Sequence, residues 1–138
     1  MAGGNPPIRV VAAALYDRDG RVLIAQRPPG KHMAGRWEFP GGKVTAGETE
    51  AAAIARELQE ELGIRVASSR PFMRLDHDYP DRRVELAMWI VDRYEGEPQP
   101  LDGQRLKWVL PGRLLQEDIL EADLPFVQAL STLPAPIA

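Results

Sequence analysis

The stretch Gly42–Ile64, GKVTAGETEAAAIARELQEELGI, decides how the rest of this chain is read. From Glu48 to Leu62 it consists of strong helix formers with no internal Gly or Pro, and Gly63 stands where a helix end favours a residue tolerant of positive φ. This predicts a helix over Glu48–Leu62. At about 100° per residue, Glu57, Glu60 and Glu61 share one stripe, beside a second stripe of Ala51, Ile54, Ala55, Leu58 and Leu62 that is suited to face a core.

Three carboxylates within one turn repel one another, and a like-charged i, i+4 pair costs a few tenths of a kcal/mol even when exposed. Two accounts fit. The stripe is either a solvated acidic face relieved by Arg56 and Arg65, or a site for a divalent cation, since carboxylate oxygens are hard ligands suited to Mg²⁺ or Mn²⁺ alongside water and phosphate. The upstream residues favour the cation. Gly41-Gly42, Lys43, Gly47 and Glu48 read as a flexible loop that brings backbone groups and one more carboxylate to the start of the helix. It is not a P-loop, because the Gly-x4-Gly-Lys-Ser/Thr pattern is absent.

Working outward, Ile8–Tyr16 and Arg21–Arg27 read as strands joined by the turn Asp17-Arg18-Asp19-Gly20, and a long loop through His32 leads to a short extended piece at Trp37–Phe39. Pro40-Gly41-Gly42 is expected to break the chain there. Phe72–Tyr79 and Val84–Tyr94 read as strands joined by the turn Pro80-Asp81-Arg82, Leu106–Val109 as a further strand, and short helices are expected near Gly112–Gln116 and Pro125–Leu133. The expected fold class is α/β (α+β), a mixed sheet covered by helices.

Composition narrows the options. A chain of 138 residues is expected to form one domain, 1–138, with loose ends at 1–7 and 134–138, which are rich in Gly, Pro and Ala. Seventeen basic against twenty acidic side chains, a net charge of −3, argue against a broadly basic nucleic-acid surface. The absence of Cys excludes a disulfide framework, a thiolate zinc site and a cysteine nucleophile, and fits a reducing compartment. A cytoplasmic location is expected. The apolar run Val10–Tyr16 is far short of the roughly 20 residues that span a bilayer, so no membrane partner is expected. No internal repeat is present.

Gly42 to Ile64 also resembles the signature of the Nudix hydrolases at every specified position: Gly, five residues, Glu, seven residues, Arg-Glu-apolar, one residue, Glu-Glu, one residue, Gly-apolar. Within that family the chain is similar to the MutT-type enzymes over almost its whole length, through Ala25-Gln26-Arg27, His32-Met33-Ala34, Glu38-Phe39-Pro40-Gly41-Gly42-Lys43, Tyr79-Pro80-Asp81-Arg82 and Glu95-Gly96-Glu97-Pro98. The resemblance implies a mixed sheet between helices. It also implies that water is sent to the β-phosphorus of a nucleoside triphosphate, giving a monophosphate and pyrophosphate. Crowded phosphate oxygens must be neutralised and water made nucleophilic, and a carboxylate-bound Mg²⁺ or Mn²⁺ serves both needs.

By the same resemblance Glu57, Glu60 and Glu61 are metal ligands, with the Gly41 carbonyl and Asp102 as further candidates. Asp102 stands where the MutT-type enzymes carry a glutamate, and its shorter side chain leaves direct coordination open. Glu57 would take the proton from water and Arg56 would orient it, unless Arg56 only pairs with Glu60 one turn on. Glu48 is the second candidate base, or an acid favoured at a helix start. Arg27 and Lys43 either touch phosphate or base or are solvated. His32 and His77 lack metal-ligand spacing and read as ordinary polar residues; His32, Glu38, Asp81 and Arg82 lie in stretches that match the family's substrate loops. Phe39 and Tyr79 read as pocket walls, and Trp37, Trp89 and Trp108 as core aromatics.

The base-reading position departs from the pattern. MutT-type enzymes place an asparagine where this chain has Asp123, and an ionised carboxylate accepts hydrogen bonds but cannot donate to guanine O6 as an amide does. Asp123 is therefore protonated in a dry pocket, or prefers a base that offers an amine, or simply caps the helix near Pro125. The expected reaction is hydrolysis of 8-oxo-dGTP, with CTP or modified dCTP as the alternative. A non-catalytic nucleotide-binding module is the reading from another class, and it is opposed by the full set of acidic signature residues. The expected partner is a nucleoside triphosphate, with no direct nucleic-acid binding. A monomer is expected and a dimer is left open.

Overall fold

Both faces of the first strand are covered, and this sets the architecture. The computed structural model describes residues 6–133. Along β1, Ile8–Leu15, the residues Val11, Ala13 and Leu15 belong to one core while Ala12 and Ala14 belong to the other. A strand buried on both sides reads as an unbroken apolar run, which VVAAAL is.

The remaining strands are β2 Val22–Gln26, β3 Trp37–Glu38, β4 Gly41–Lys43, β5 Arg65–Tyr79, β6 Arg82–Glu95 and β7 Arg105–Val109. They form a mixed four-stranded sheet in the order β4-β1-β6-β5 and an antiparallel three-stranded sheet in the order β3-β2-β7. In the larger sheet β1 runs parallel to β6 and antiparallel to β4. Helix α1, Glu50–Leu62, covers the Val11 side, and helix α2, Leu124–Ser131, covers the Ala12 side. This is the expected α+β arrangement, with two sheets where one was expected.

Helix α1 is held firmly. Ile54, Leu58 and Leu62 are fully buried, and burying each is worth about 1.5–3 kcal/mol. Ala53 is buried as well, whereas Ala51 and Ala55 of the expected core stripe are only half-buried. At its first turn the buried Glu50 accepts from Trp89 Nε1 at 3.0 Å and pairs with Arg74 at 2.6 Å and Arg9 at 3.4 Å, which ties the helix to β6, β5 and β1. Burial pushes the Glu50 carboxyl upward, but the bonds from Trp89 and Arg74 outweigh it and leave the group below its ordinary value.

Several sequence expectations are corrected. The helix begins at Glu50, because the Thr49 side chain accepts from Ala52 N at 3.1 Å and caps it, leaving Glu48 in the preceding turn. Gly41–Lys43 is not a flexible break but strand β4, paired with Val10–Ala12. Strand β5 starts at Arg65, seven residues before the expected Phe72, and carries register shifts on both sides of Ser68 and again at Pro71. It is an edge strand, where a proline without an N–H is tolerated. The segment near Gly112 is a short 3-10 turn, Pro111–Gln116, and a second such turn, Glu121–Asp123, leads into α2. Trp37, Trp89 and Trp108 pack against the cores only half-buried. Of the ends expected to be loose, residues 1–5 and 134–138 lie outside the described residues. No helix among the described residues is long and apolar enough to cross a membrane.

Candidate active site

The acidic stripe of α1 and strand β4 are brought together by the pairing of β4 with β1, in which Gly41 lies opposite Ala12 and Gly42 opposite Val11. The fit is so close that a Cβ at Gly42 would fall on the Glu57 carboxylate. Beside them opens a cavity of about 670 Å³. Glu57, Glu60, Glu61, Gly41 and Asp102, the candidate ligands, all line it, as do Arg27, Glu38, Phe39, Lys43, Tyr79 and Asp123.

Glu61 is the key to its electrostatics. Its Oε2 is buried and has no hydrogen-bond partner. Burial pushes its carboxyl up to about 8, reinforced by the neighbouring charges of Glu57, Asp102 and Glu38. An orphaned carboxylate oxygen among other carboxylates is the donor set a divalent cation satisfies, so these residues fit the metal. Among the described residues no three His, Asp or Glu side chains are grouped closely enough to hold a metal ion together, so the fit rests on the Glu61 oxygen and its acidic neighbours. Glu60 is exposed and pairs with Arg56 at 3.3 Å.

Arg56 organises the other side of the stripe. Its Nε donates to Glu48 Oε2 at 2.8 Å and its Nη2 to Glu48 Oε1 at 3.0 Å, while Nη1 lies 3.2 Å from Glu57 Oε2. Nη2 also donates to the Lys43 carbonyl at 2.9 Å. Arg56 thus pairs with both Glu57 and Glu60, and neither sequence reading of it excludes the other. Glu48 accepts in addition from Thr45 N and Thr45 Oγ1, each at 3.0 Å. The Arg56 bonds, with Thr45, hold its carboxyl down at about 2. So weak and fully engaged a carboxylate is a poor proton acceptor near neutral pH, which counts against Glu48 as the base.

Asp123 is buried, and its Oδ2 accepts from Phe39 N at 3.1 Å across 84 residues of chain. Its side chain makes no bond to the start of α2, so the capping account is corrected. Burial pushes its carboxyl up to about 7 against the Phe39 bond, with the Glu38 charge adding to the rise. Glu38 is itself raised by burial and drawn back by Arg27, whose Nη1 lies 3.1 and 3.2 Å from its two oxygens. The Arg27 Nε donates to the His32 carbonyl at 2.7 Å.

A Nudix domain profile matches residues 6–130. The chain belongs to the Nudix family. Among curated relatives, the 8-oxo-dGTP diphosphatase of Escherichia coli K12 is 36% identical over 126 residues, covering 91% of this chain and 98% of that one. The CTP pyrophosphohydrolase of the same organism is 38% identical over 125 residues, covering 91% and 93%. A solved structure from a study of MutT from Aliivibrio salmonicida and Vibrio cholerae superposes with a TM-score of 0.82 at 35% identity, covering 91% of this chain and 98% of that one. The chain is therefore a Nudix hydrolase of the MutT kind in its fold, and enzymes of this family use divalent metal ions.

The rest of the Nudix site divides unevenly. His32 lies not in the main cavity but in an adjoining one of about 410 Å³, with Met33, Arg36, His77 and Tyr79. Arg27 and Tyr79 line both. Asp81 and Arg82, expected as substrate contacts, sit at the β5–β6 hairpin and line neither cavity. Two supporting residues escaped the sequence reading. Thr45 holds Glu48 through a Thr-x-x-Glu spacing that is legible as a capping-box pattern. Gln104, buried beside the Asp102 loop, carries no signal that a sequence could give.

Proposed function

We propose that this chain is a divalent-metal-dependent nucleoside triphosphate pyrophosphohydrolase that converts 8-oxo-dGTP to 8-oxo-dGMP and pyrophosphate, with Mg²⁺ as the ion and Mn²⁺ as a substitute. The observation that carries the reading is the buried Glu61 Oε2, which has no hydrogen-bond partner, set among Glu57 and Asp102 in a cavity roomy enough for a nucleotide. Glu57, Glu60 and Glu61 would hold the ion, with the Gly41 carbonyl and Asp102 in support. When bound, the ion offsets phosphate charge and lowers the pKa of water.

The chain's own residues supply the rest. Glu57 accepts the proton of the attacking water, whose oxygen bonds to the β-phosphorus as the bond to the α–β bridging oxygen breaks. Arg56 fixes the Glu57 carboxylate, and Glu48 fixes Arg56. Phe39 and Asp123, joined through the Phe39 N–H, face the base. Such an enzyme cleans the nucleotide pool, and the cytoplasm is where that pool lies.

A second reading, cleavage of CTP or 5-substituted dCTP, is favoured by one residue. Asp123 in its ionised form accepts from an exocyclic amine and gives nothing to guanine O6. The deciding experiment is kcat/KM for 8-oxo-dGTP, dGTP, CTP and 5-methyl-dCTP with Mg²⁺ and the products identified. A higher value for 8-oxo-dGTP than for the other three is expected. Preference for the cytidine substrates moves the assignment to the second reading, and inertness of the folded protein towards all four means that the domain is a binding module.

A further inference from the structure

The loop that carries Asp102 is bonded to the very turn of α1 that carries Glu61. Leu101 N donates to the Glu61 carbonyl at 3.1 Å, and Gln99 N donates to the Leu62 carbonyl at 2.9 Å. These carbonyls belong to the last turn of the helix and have no partner within it. A third bond comes from a side chain. Gln104 is 8% exposed, one of three buried polar residues among the described ones, and both ends of its amide are in use. Its Nε2 donates to the Glu61 carbonyl at 3.2 Å while its Oε1 accepts from Asp102 N at 2.9 Å.

A single amide therefore spans the backbone of Glu61 and the backbone of Asp102. Glu61 and Asp102 line the same cavity. Asp102 and Gly103 are exposed; beside them Leu101 sets its Cδ1 against Gly63, and Gly103 N donates to the Pro100 carbonyl at 3.1 Å to close the turn. Of the bonds that tie this loop to the helix end, Gln104 makes the one that grips Asp102 itself.

We propose that Gln104 is a positioning residue for the cation site, setting Asp102 in register with Glu61 so that a carboxylate on an exposed loop contributes to ion binding. The inference rests on the cation reading of the acidic cluster. A helix cap alone would need only the Nε2 bond to the Glu61 carbonyl; the Oε1 bond to Asp102 N gives no stability to the helix and acts only on the loop.

The test is a double-mutant cycle on Mn²⁺ affinity, read from the free-ion signal in electron paramagnetic resonance on the full chain without nucleotide. Gln104→Met keeps length and volume but loses both bonds. It is expected to weaken Mn²⁺ binding about tenfold, the low end of what partners of metal ligands contribute. Asp102→Asn is expected to do the same, and the double variant no worse than either, because both remove one contribution. Gln104→Asn, which keeps the amide but is too short to span both partners, guards against a folding failure and is expected to follow Gln104→Met. Wild-type Mn²⁺ affinity in both Gln104 variants, or losses that multiply in the double variant, would overturn the proposal. Absence of Mn²⁺ binding by the wild type would instead sink the cation reading itself.

Discussion

The Arg56 guanidinium lies side-on against the Glu48 carboxylate, with Nε 2.8 Å from Oε2 and Nη2 3.0 Å from Oε1. The two-point contact fixes the plane of the guanidinium, which leaves Nη1 between Glu57 and Glu60. Lysine cannot reproduce that geometry. Arg56→Lys is expected to lower kcat about 10- to 100-fold with the thermal midpoint little changed, in line with other residues that orient a ligand. Glu57→Gln removes the proposed base and is expected to lose about 10²–10⁴ in kcat. Glu48→Gln should fall between that variant and the wild type. Were steady-state kinetics to rank Glu48→Gln below Glu57→Gln, the proton acceptor would be Glu48 after all.

Two adjacent glycines should behave differently. A Cβ at Gly41 would meet the Val11 carbonyl oxygen and the backbone of Ala12, which cannot move without parting β4 from β1. At Gly42 the Cβ would meet only the Glu57 carboxylate, the far end of a flexible side chain. Gly41→Ala is expected to cost about 1–3 kcal/mol of stability, also because its φ of +157° suits few other residues. Gly42→Ala is expected to unfold at nearly the wild-type temperature yet lose activity, since Glu57 is displaced. Calorimetry paired with a pyrophosphate-release assay separates the two.

What the sequence disclosed follows from where the physics is local. The acidic stripe, the Gly63 cap and the Ile54, Leu58 and Leu62 part of the apolar face of α1 are all set within a few residues, and each was legible, whereas Ala53 took the buried place expected of Ala51 and Ala55. The strand content of Gly41–Lys43 was not, because a Pro-Gly-Gly run has no strand propensity of its own and is made a strand by its partner β1. The early start of β5 was hidden for the same reason, with Ser68, Ser69 and Pro71 tolerated on an edge paired to β6. The site divides likewise. Glu57, Glu60 and Glu61 announce themselves by spacing, whereas the Asp123–Phe39 bond and the Gln104 bridge join residues far apart in the chain or concealed by burial.

Without metal, Glu61 is a liability to the fold. Its carboxyl is raised from 4.5 to about 8, so between these values the folded chain keeps a proton that the unfolded chain has released. Stability in the presence of a chelator should therefore fall as pH rises through that window, and divalent cation should restore more of it at pH 8 than at pH 6. An ion at 100 times its dissociation constant adds about 2.7 kcal/mol. Glu61→Gln is expected to unfold at a higher temperature than the wild type in chelator at pH 8, and to gain much less from added Mg²⁺. A cation-induced rise in the variant equal to that of the wild type would remove Glu61 from the ligand set.

Asp123 is expected to make the choice of base depend on pH. Its carboxyl is raised from 3.8 to about 7, mainly by burial, so near neutrality both forms are populated. The protonated form donates and accepts as an asparagine amide does, matching the O6 and N7–H of 8-oxoguanine; the ionised form only accepts, matching an exocyclic amine. As pH climbs through about 7, kcat/KM for 8-oxo-dGTP is expected to fall relative to that for CTP. The variant Asp123→Asn fixes the donor–acceptor pattern, so it should raise the ratio of 8-oxo-dGTP to CTP cleavage and remove its pH dependence. With divalent cation present to offset Glu61, its stability should also lack the Asp123 part of the decline expected for the wild type between about pH 4 and 7, where the buried acid gives up its proton only at a cost. A ratio that stays constant with pH in the wild type and is unchanged in the variant would mean that Asp123 supports the Phe39 backbone without reading the base.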